Sequence, residues 1–483
     1  MSRLVKNTFI YTLGNIIPQA VNFLLLPIYT RFLSPNDYGI VSSMTILITI
    51  LAIVFTLCLE RSIFRLYFDY KDEQGKRDYL GTIVVSIIIN SLICMLLIFA
   101  FRNIFGKIFS AIPFYPFYVY AVLTCFFMVI GYPPMIVFQV KEKAGSFIAL
   151  VLSKFFLMVL LNIWFVCFLR AGAAGQLQAG LLANLFFLPV NLYIVARVIN
   201  FHFAFDILKN SLAFSLPMVP SLVTAWILDM SNQVFIAKYL SMADVGIYSL
   251  GLKMALVGLI VVSGFDSAYS PYFFRLANED DQANSKVTLQ KVNNKYAMML
   301  LLLAFSIAFF SREAVILMGP KYARSYVITR IVAFAYLFSG LGGLASRSIL
   351  QEKRVIENMF ISIGSAALSI ILNIMLIPRI GIYGAALSSL LTFIVGFVIQ
   401  YQYSRYCYFI PLNFRRLGAY LLTAVVILVV YHFYIEQFLW QSIASKFIIF
   451  SLIIWFYAVR VIGIKNLASM NLNRFIFDSA EKG

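Results

Sequence analysis

Charged residues are scarce in this sequence. Asp, Glu, Lys and Arg make up 12% of its 483 residues, whereas hydrophobic residues make up 62%. A soluble globular protein carries about 25% charged residues, because its surface must face water. The shortage excludes a soluble enzyme, a disordered protein and a secreted disulfide scaffold, and it leaves a polytopic membrane protein.

Cysteine and histidine are also rare, with five and two residues. The cysteines are scattered without a Cys-x-x-Cys pair, so we interpret them as buried small hydrophobes. His202 and His432 are too far apart in the sequence to indicate a metal cluster. The GxxxxGK[ST] motif of an ATPase and the GxSxG motif of a hydrolase are both missing. We therefore expect no enzyme activity and no bound cofactor or metal.

Long apolar runs dominate what is present. A membrane-crossing helix needs about 20 mostly apolar residues, and such runs predict an all-α integral membrane protein of about fourteen transmembrane helices. The runs lie near residues 8–30, 40–59, 81–101, 117–138, 147–169, 176–196, 212–236, 245–268, 296–311, 327–346, 359–377, 384–403, 417–435 and 446–463. The two longest loops, around 62–79 and 269–295, are charged and too short for a separate domain.

The excess of basic residues sets the expected orientation. A net charge of +18 in a soluble domain would suggest nucleic acid, but in a membrane protein Lys and Arg collect in cytoplasmic loops. With both termini in the cytoplasm, 25 of the 38 Lys and Arg lie in inner segments and 10 in outer loops. Lys154, Lys253 and Arg330 remain within spans. We predict a multi-pass protein with both termini inside and no nucleic-acid partner.

Polar residues at fixed spacing reveal an internal repeat. The pattern Ser-x-x-Asp-x-Gly begins at Ser34 and again at Ser241, 207 residues later, and Ser42 and Ser249 follow at matching distances. Apolar bias alone cannot produce such matches. Because a Ser or Asp before a helix accepts its free backbone N–H groups, both copies are predicted to cap the helix that follows.

A second match, Arg-x-Gly-x-x-Gly, begins at Arg170 and at Arg379. The repeat unit spans six helices, so the two copies have the same orientation. We predict two six-helix lobes, residues 1–200 and 201–410, and two appended helices within 411–483. Repeats around a site at the membrane midplane are typical of secondary transporters that work by alternating access.

The run LLLPIYTRFLSPNDYGI resembles the opening of bacterial polysaccharide (O-antigen or capsule repeat-unit) flippases of the multidrug/oligosaccharidyl-lipid/polysaccharide exporter superfamily. The runs FIAKYLSMADVGIYSLGLKMA and LNIMLIPRIGIYGAALSSLL resemble the middle and late segments of that family. Many members place an Asp-Arg pair where this chain has Asn232-Gln233, so no role is carried over to these two residues.

The resemblance implies a protein of the bacterial cytoplasmic membrane that moves undecaprenyl-diphosphate-linked oligosaccharide from the inner to the outer leaflet. It implies a transporter and not an enzyme. Its partners would be the anionic lipid-linked oligosaccharide, membrane lipids, and the polysaccharide polymerase and glycosyltransferases of the same pathway. Ion coupling by a proton, sodium or another cation is expected of such a transporter.

Ionisable residues within spans are the first candidates for the substrate site, because a buried charge is costly unless it has a use or a partner. A lipid-linked diphosphate is strongly anionic, and cations can replace its hydration. We expect Arg61, Lys154, Lys253 and Arg330 to line the cavity, although Arg330 near the outer edge could also reach the membrane surface.

Carboxylates and amides form the second group of candidates. Asp229 and Asp266 are candidates for ion coupling, and Asp229 could instead pair with Lys253 at similar depth. Asn15, Gln19 and Asn22 share one face of helix one and could contact sugar hydroxyls or neighbouring helices.

Prolines in the same regions predict bends in two helices. Pro18 and Pro27 interrupt helix one, and Pro217 and Pro220 interrupt helix seven. Prolines bend helices, as expected of helices that flex during gating.

Other functions stay open at the level of sequence. A multidrug exporter or a peptidoglycan-precursor flippase of the same superfamily shares the fold and the repeat. A membrane polysaccharide polymerase or glycosyltransferase would need catalytic groups on a sizeable outer loop, whereas the outer loops here are short and poor in carboxylates. An accessory membrane protein is the remaining alternative.

Overall fold

The computed structural model describes residues 3–201, 203–434 and 446, and its regular structure there is entirely helical. In the first half the helices are α1 (Arg3–Leu24), α2 (Leu26–Phe32), α3 (Pro35–Thr56), α4 (Leu59–Leu66), α5 (Glu73–Ala100), α6 (Arg102–Phe105), α7 (Val119–Ile130), α8 (Tyr132–Val140), α9 (Ala144–Asn162) and α10 (Gly172–Ala196). In the second half they are α11 (Phe205–Ser215), α12 (Met218–Tyr239), α13 (Met242–Ala277), α14 (Gln282–Ile316), α15 (Ser325–Gln351), α16 (Val355–Ile380), α17 (Ile382–Ser404) and α18 (Phe414–Tyr434). The all-α membrane fold is confirmed.

Ten helical segments of the described chain are long and apolar enough to cross a membrane, and the bent pair of α11 and α12 makes eleven. The first thirteen predicted runs all fall on helical segments, although the runs 8–30, 117–138 and 212–236 each cover two consecutive helices. The fourteenth, 446–463, lies outside the described residues apart from Lys446. The total of fourteen crossings and the inner position of the termini stay predictions.

Apolar side chains cover the outside of several helices. On α5, for example, Ile93, Leu96 and Leu97 are all about half exposed or more. A soluble protein rarely leaves such continuous apolar surface open to water. The exposed faces are therefore those that contact lipid.

Helices break near Pro27 and near Pro217, two of the regions in which the sequence predicted bends. Pro27 lies in the first turn of α2, directly after the break that ends α1, whereas Pro18 stays inside α1. Around Pro217 and Pro220, α11 and α12 meet at an angle of 43°. Proline lacks the N–H of the helix ladder and crowds the preceding turn, so the predicted bend of helix seven is confirmed.

The charged stretch predicted as a long loop at 269–295 is mostly helix. Helix α13 runs for 36 residues and α14 for 35, so only residues 278–281 separate them. At 1.5 Å per residue each helix is about 50 Å long, well beyond a hydrocarbon core of about 30 Å. The loop prediction was wrong because charged helix ends that project into water need no apolar surroundings.

The chain forms two compact units. Unit 1 contains Met1–Ser249, Met318–Tyr322 and Ile370–Ala385, and unit 2 contains Leu250–Leu317, Ala323–Ser369 and the chain from Ala386 onward. The predicted lobe boundaries at residues 200 and 410 stay a prediction. Unit 1 already joins pieces of both repeats, because Met318–Tyr322 and Ile370–Ala385 belong to the second copy.

Each unit has its own core. In unit 1 the small residues Ala179 and Ala183 of α10 are fully buried, as are Ala121 and Val122 of α7, and these two helices pack together. In unit 2 α14 and α15 pack together over an aromatic and aliphatic cluster. Its most buried members include Phe273, Leu289, Tyr296, Leu300 and Leu341. Small residues permit close helix packing in membranes, where lipid provides no hydrophobic drive between helices.

Candidate functional site

Both repeated turns form the predicted helix caps. In the first copy the Ser34 hydroxyl accepts a hydrogen bond from the Asp37 backbone N–H at 3.1 Å, and the Asp37 carboxylate accepts one from the Ser34 N–H at 3.2 Å. In the second copy the Ser241 hydroxyl accepts from the Asp244 N–H at 3.2 Å and donates to its carboxylate at 2.7 Å. These bonds satisfy free N–H groups at the starts of α3 and α13, so both caps are confirmed.

Gly39 and Gly246 bring the two capped helices together within unit 1. A Cβ atom on Gly39 would lie 1.8 Å from the Met242 carbonyl oxygen, and one on Gly246 would lie 1.9 Å from the Pro35 carbonyl oxygen. Met242 and Gly246 follow Pro35 and Gly39 by 207 residues, so the contact has the same form in both directions. Only glycine allows two backbones to approach so closely.

The repeated serines Ser42 and Ser249 share one hydrogen-bond acceptor, the side-chain oxygen of Gln233. The hydroxyls of Ser42 and Ser249 each donate to Oε1 of Gln233 at 2.7 Å. Gln233 is 3% exposed, so these bonds form away from solvent. We call Pro35, Gly39, Ser42, Gln233, Met242, Gly246 and Ser249 the repeat contact.

Buried amide side chains connect the repeat contact to α16 and α17, which come later in the chain. Asn373 donates to Oδ1 of Asn232 at 2.7 Å, and Asn232 donates to the Tyr248 hydroxyl at 2.7 Å and to the Ala385 carbonyl at 3.3 Å. Asn232 and Asn373 are both buried. Buried polar groups must be hydrogen-bonded to be tolerated. The Asn232-Gln233 pair, to which the sequence assigned no role, therefore connects α12 to four other helices, α3, α13, α16 and α17, through residues of unit 1.

Segments that precede or follow the helices of both halves also contact the first repeated turn or share its symmetry within unit 1. Gly172 and Gly381, equivalent glycines of the second sequence match, both have positive φ, at 59° and 64°. The Ala173 N–H, next to Gly172, donates to the Asp37 carboxylate at 3.4 Å. The Tyr322 hydroxyl donates to the Leu33 carbonyl at 3.2 Å. The repeat seen in the sequence is thus also a repeat in backbone conformation.

The predicted cavity cations have different surroundings. In unit 1, the Arg61 side chain is 52% exposed with its Nε 3.7 Å from a Glu60 carboxylate oxygen, and Lys154 on α9 is half-buried. In unit 2, Lys253 on α13 is exposed. Whether these side chains share a cavity stays a prediction.

Arg330 is held by its own unit. Its Nε donates to the Ala308 carbonyl and to the Ser311 hydroxyl, each at 3.2 Å, and its guanidinium lies 4.8 Å from the centre of the Tyr326 ring. These contacts tie α15 to α14. Arg330 therefore stabilises the packing of α14 and α15, and its contact with substrate stays a prediction.

The predicted polar stripe and carboxylates are only partly described. Gln19 and Asn22 are exposed on α1, and the side chain of Asn15 lies outside the described residues. Asp229 is exposed on α12. Its pairing with Lys253 and its role in ion coupling stay predictions.

Asp266 lies in a charged cluster that the sequence did not reveal. Its carboxylate is 2.7 Å from the guanidinium of Arg347 and accepts a hydrogen bond from the Tyr296 hydroxyl at 3.4 Å. Arg347 also donates to the Ser270 hydroxyl at 3.1 Å and lies 5.3 Å from the centre of the Tyr269 ring. We call these five residues the Arg347 cluster.

Arg347 itself corrects one assignment. Arg347 is one of the 25 basic residues that the sequence assigned to inner segments outside the predicted spans, yet the structure places it inside α15 with 8% of its surface exposed. The apolar run ends at residue 346, so hydropathy gave no sign of burial. Its partner on another helix keeps this charge within the protein.

Comparisons with known proteins agree with this architecture. Residues 4–277 match the family model described as polysaccharide biosynthesis protein. The Lsg locus protein 1 of Haemophilus influenzae is 26% identical over 318 residues, which cover 62% of this chain and 72% of that protein.

Two solved structures share the fold. A structure described as the lipid II flippase MurJ in an inward closed conformation has a TM-score of 0.72 at 13% identity, covering 94% of this chain and all of that one. A structure of a multidrug resistance MATE family transporter of the MOP superfamily has a TM-score of 0.59 at 15% identity, covering 83% and 95%. The family match spans more than half of the chain, and so this chain belongs to the polysaccharide biosynthesis protein family.

Proposed function

We propose that this protein is a lipid-linked oligosaccharide flippase. It moves undecaprenyl-diphosphate-linked polysaccharide repeat units from the inner to the outer leaflet of the bacterial cytoplasmic membrane by alternating access, coupled to an ion. Its termini lie in the cytoplasm, and its substrate comes from glycosyltransferases and passes to a polysaccharide polymerase.

The repeat contact is the observation that carries this proposal. It joins equivalent positions of two parallel repeats through backbone approach and neutral hydrogen bonds. A contact of this kind can separate without isolating a charge in a medium of low dielectric constant. It is therefore suited to a gate that opens and closes in each cycle, as alternating access requires.

The cations support an anionic substrate. Lys154, Lys253 and Arg61 keep positive charge within or beside predicted spans, where a diphosphate loses most of its hydration during transfer. A transporter of cationic drugs would need the opposite charge. This favours a lipid-linked diphosphate over the multidrug alternative.

Deletion of the gene for this protein, in the bacterium from which it comes, tests the proposal. We expect surface polysaccharide to disappear while lipid-linked repeat units accumulate in the cytoplasmic leaflet, and the gene supplied in trans to restore both. Unchanged surface polysaccharide in a strain with no second exporter would contradict it.

The same strain separates the alternatives. Loss of viability with accumulation of peptidoglycan precursor would identify a peptidoglycan-precursor flippase. Sensitivity to cationic drugs with normal polysaccharide would identify a multidrug exporter. Loss of polymer length with normal transfer of single repeat units would identify a polymerase.

A further inference from the structure

A basic groove lies in unit 2, and none of the residues that line it belongs to the repeat contact or to the Arg347 cluster. It has a volume of about 1010 Å³ and runs between α14 and the start of α18. Lys291 and Lys295 line it from α14, and Arg415 and Arg416 line it from α18. No carboxylate is among the residues that line it in the described part of the chain.

Hydrogen bonds fix the two sides of this groove relative to each other. Oδ1 of Asn294, on α14, accepts from the Asn413 backbone N–H at 2.8 Å. Oδ1 of Asn413 in turn accepts from the Arg416 N–H at 3.1 Å and caps α18. The Leu412 N–H donates to the Tyr401 hydroxyl at 3.2 Å. The arginines are thereby held opposite the lysines rather than placed on a free loop.

The predicted spans put the groove at the level of a membrane surface. The four cations come just before the apolar runs 296–311 and 417–435 that were predicted to cross the membrane. Beyond them α18 exposes Leu422, Val425 and Val426, each more than two-fifths accessible. Cationic and apolar surfaces therefore follow one another along α18, in the order of a phospholipid's headgroup and acyl chains.

We propose that this groove binds the headgroup of an anionic phospholipid of the cytoplasmic leaflet. The phosphodiester lies among the four cations, with Asn413 and Asn294 at the floor, and an acyl chain follows the exposed face of α18. Basic pockets between helices on the cytoplasmic side recognise anionic headgroups in this way. Arginine suits the phosphate because its planar guanidinium donates two parallel hydrogen bonds.

The test uses the full-length protein in detergent, titrated with phosphatidylglycerol or phosphatidylcholine and followed by native mass spectrometry. We expect phosphatidylglycerol to bind more tightly than phosphatidylcholine. Arg415→Gln/Arg416→Gln should weaken phosphatidylglycerol binding by roughly thirtyfold, because two cations near a headgroup are lost. Arg415→Lys/Arg416→Lys should keep most of the binding.

The matched control is Arg405→Gln/Lys353→Gln, which removes two exposed cations outside the groove. It should bind phosphatidylglycerol as the native chain does. Equal loss in the control, or no loss in Arg415→Gln/Arg416→Gln, would overturn the proposal. Thermal unfolding of each variant confirms that it is folded.

Two competitors distinguish the source of the phosphate. Excess inorganic phosphate should leave phosphatidylglycerol binding unchanged, and displacement by it would assign the groove to a free anion. Displacement by an equimolar amount of undecaprenyl diphosphate would assign the groove to the transported lipid. Either displacement contradicts a phospholipid site. Failure of the phospholipid proposal leaves the flippase function standing, because that function is tested separately by the gene deletion.

Discussion

The repeat contact in unit 1 and the Arg347 cluster in unit 2 join helices by opposite kinds of chemistry. In the repeat contact, glycines bring two backbones together and Gln233 bridges two serines, all without charge. In the Arg347 cluster, a buried guanidinium meets a carboxylate at 2.7 Å. Separation of the first exposes groups that water can readily satisfy, whereas separation of the second isolates a charge.

Under the proposed mechanism, the uncharged repeat contact would open during transport, whereas the charged Arg347 cluster would stay closed. The close backbone approach depends on two glycines, so a side-chain atom added to either one forces the helices apart. The ion pair depends on two side chains, and replacing both with neutral residues leaves no unpaired charge. Four groups of substitutions follow in order of decreasing expected effect. Three of them test this contrast, and the lysine group tests the proposed substrate site.

Substitution at the repeat glycines should have the largest effect. Gly39→Ala or Gly246→Ala places a carbon within 2 Å of a backbone oxygen, so the helices must move apart. Overpacking of this kind costs about 1–3 kcal/mol. We expect a lower thermal unfolding midpoint and at least a tenfold loss of polysaccharide export, which is about 1.4 kcal/mol.

Gly180→Ala is the control, because a Cβ atom there meets nothing within 4 Å. It should unfold at or above the native midpoint and keep full export. A native midpoint and native export in Gly39→Ala would show that the close approach is not needed.

Loss of the lysines should affect transport rather than folding. Lys154→Ala and Lys253→Ala each remove a cation proposed to meet the diphosphate, and a hydrogen bond to a charged group contributes about 1.5–3 kcal/mol. We expect export at matched protein levels to fall by about tenfold in each variant. The exposed Lys321→Ala is the control and should export normally. Full export in both lysine variants would remove them from the substrate site.

Breaking the ion pair should affect folding most when one partner stays. Arg347→Gln leaves Asp266 without its cation, and the partly exposed carboxylate limits the loss to about 1–2 kcal/mol. The double variant Asp266→Asn/Arg347→Gln should recover part of that loss in thermal unfolding, because no charge remains unpaired.

Arg354→Gln is the matched control, since its exposed guanidinium donates to the Tyr403 hydroxyl at 3.0 Å. It should change the unfolding midpoint little. Equal destabilisation by the single and double variants would mean that Arg347 acts through packing rather than charge.

The smallest effect is expected at the shared amide. Gln233→Met keeps the volume but removes the oxygen that accepts from Ser42 and Ser249. A buried hydroxyl without its partner costs about 1–3 kcal/mol, and the serines can turn to helix carbonyls to recover part of it. Thermal unfolding should show Gln233→Met below the native chain, with Ser42→Ala and Ser249→Ala between them. A serine variant less stable than Gln233→Met would rule out a shared acceptor.

Local features of the fold were predictable from the sequence. The Ser34 and Ser241 caps and the bend near Pro217 depend on residues a few positions apart, so spacing alone indicates them. The match at a shift of 207 also identified Gly39 and Gly246 as equivalent, although not as partners. The helix ends at 269–277 and 282–295 were missed. A charged helix end outside the membrane has the same polar composition as a loop, so hydropathy does not distinguish the two.

The candidate site was less predictable. Asp266 was singled out as a charge within a span, yet its partner Arg347 lies 81 residues later, beyond the apolar run. Asn232 and Gln233 differ from the pair found in many relatives, and nothing in the sequence placed Asn373 or Tyr248 beside them. Pairings between distant helices depend on packing, which a single sequence does not display.

The sequence by itself determined that this chain is embedded in a membrane and where several of its helices begin and bend, and it predicted two parallel copies. Those features follow from hydropathy and from hydrogen bonds between near neighbours. Only the tertiary structure decided that the copies meet at Gly39 and Gly246 and that Gln233 bridges Ser42 and Ser249. Gly39 and Gly246 are 207 positions apart, and Ser42 and Gln233 are 191 apart. The geometry of such contacts is set by how whole helices pack.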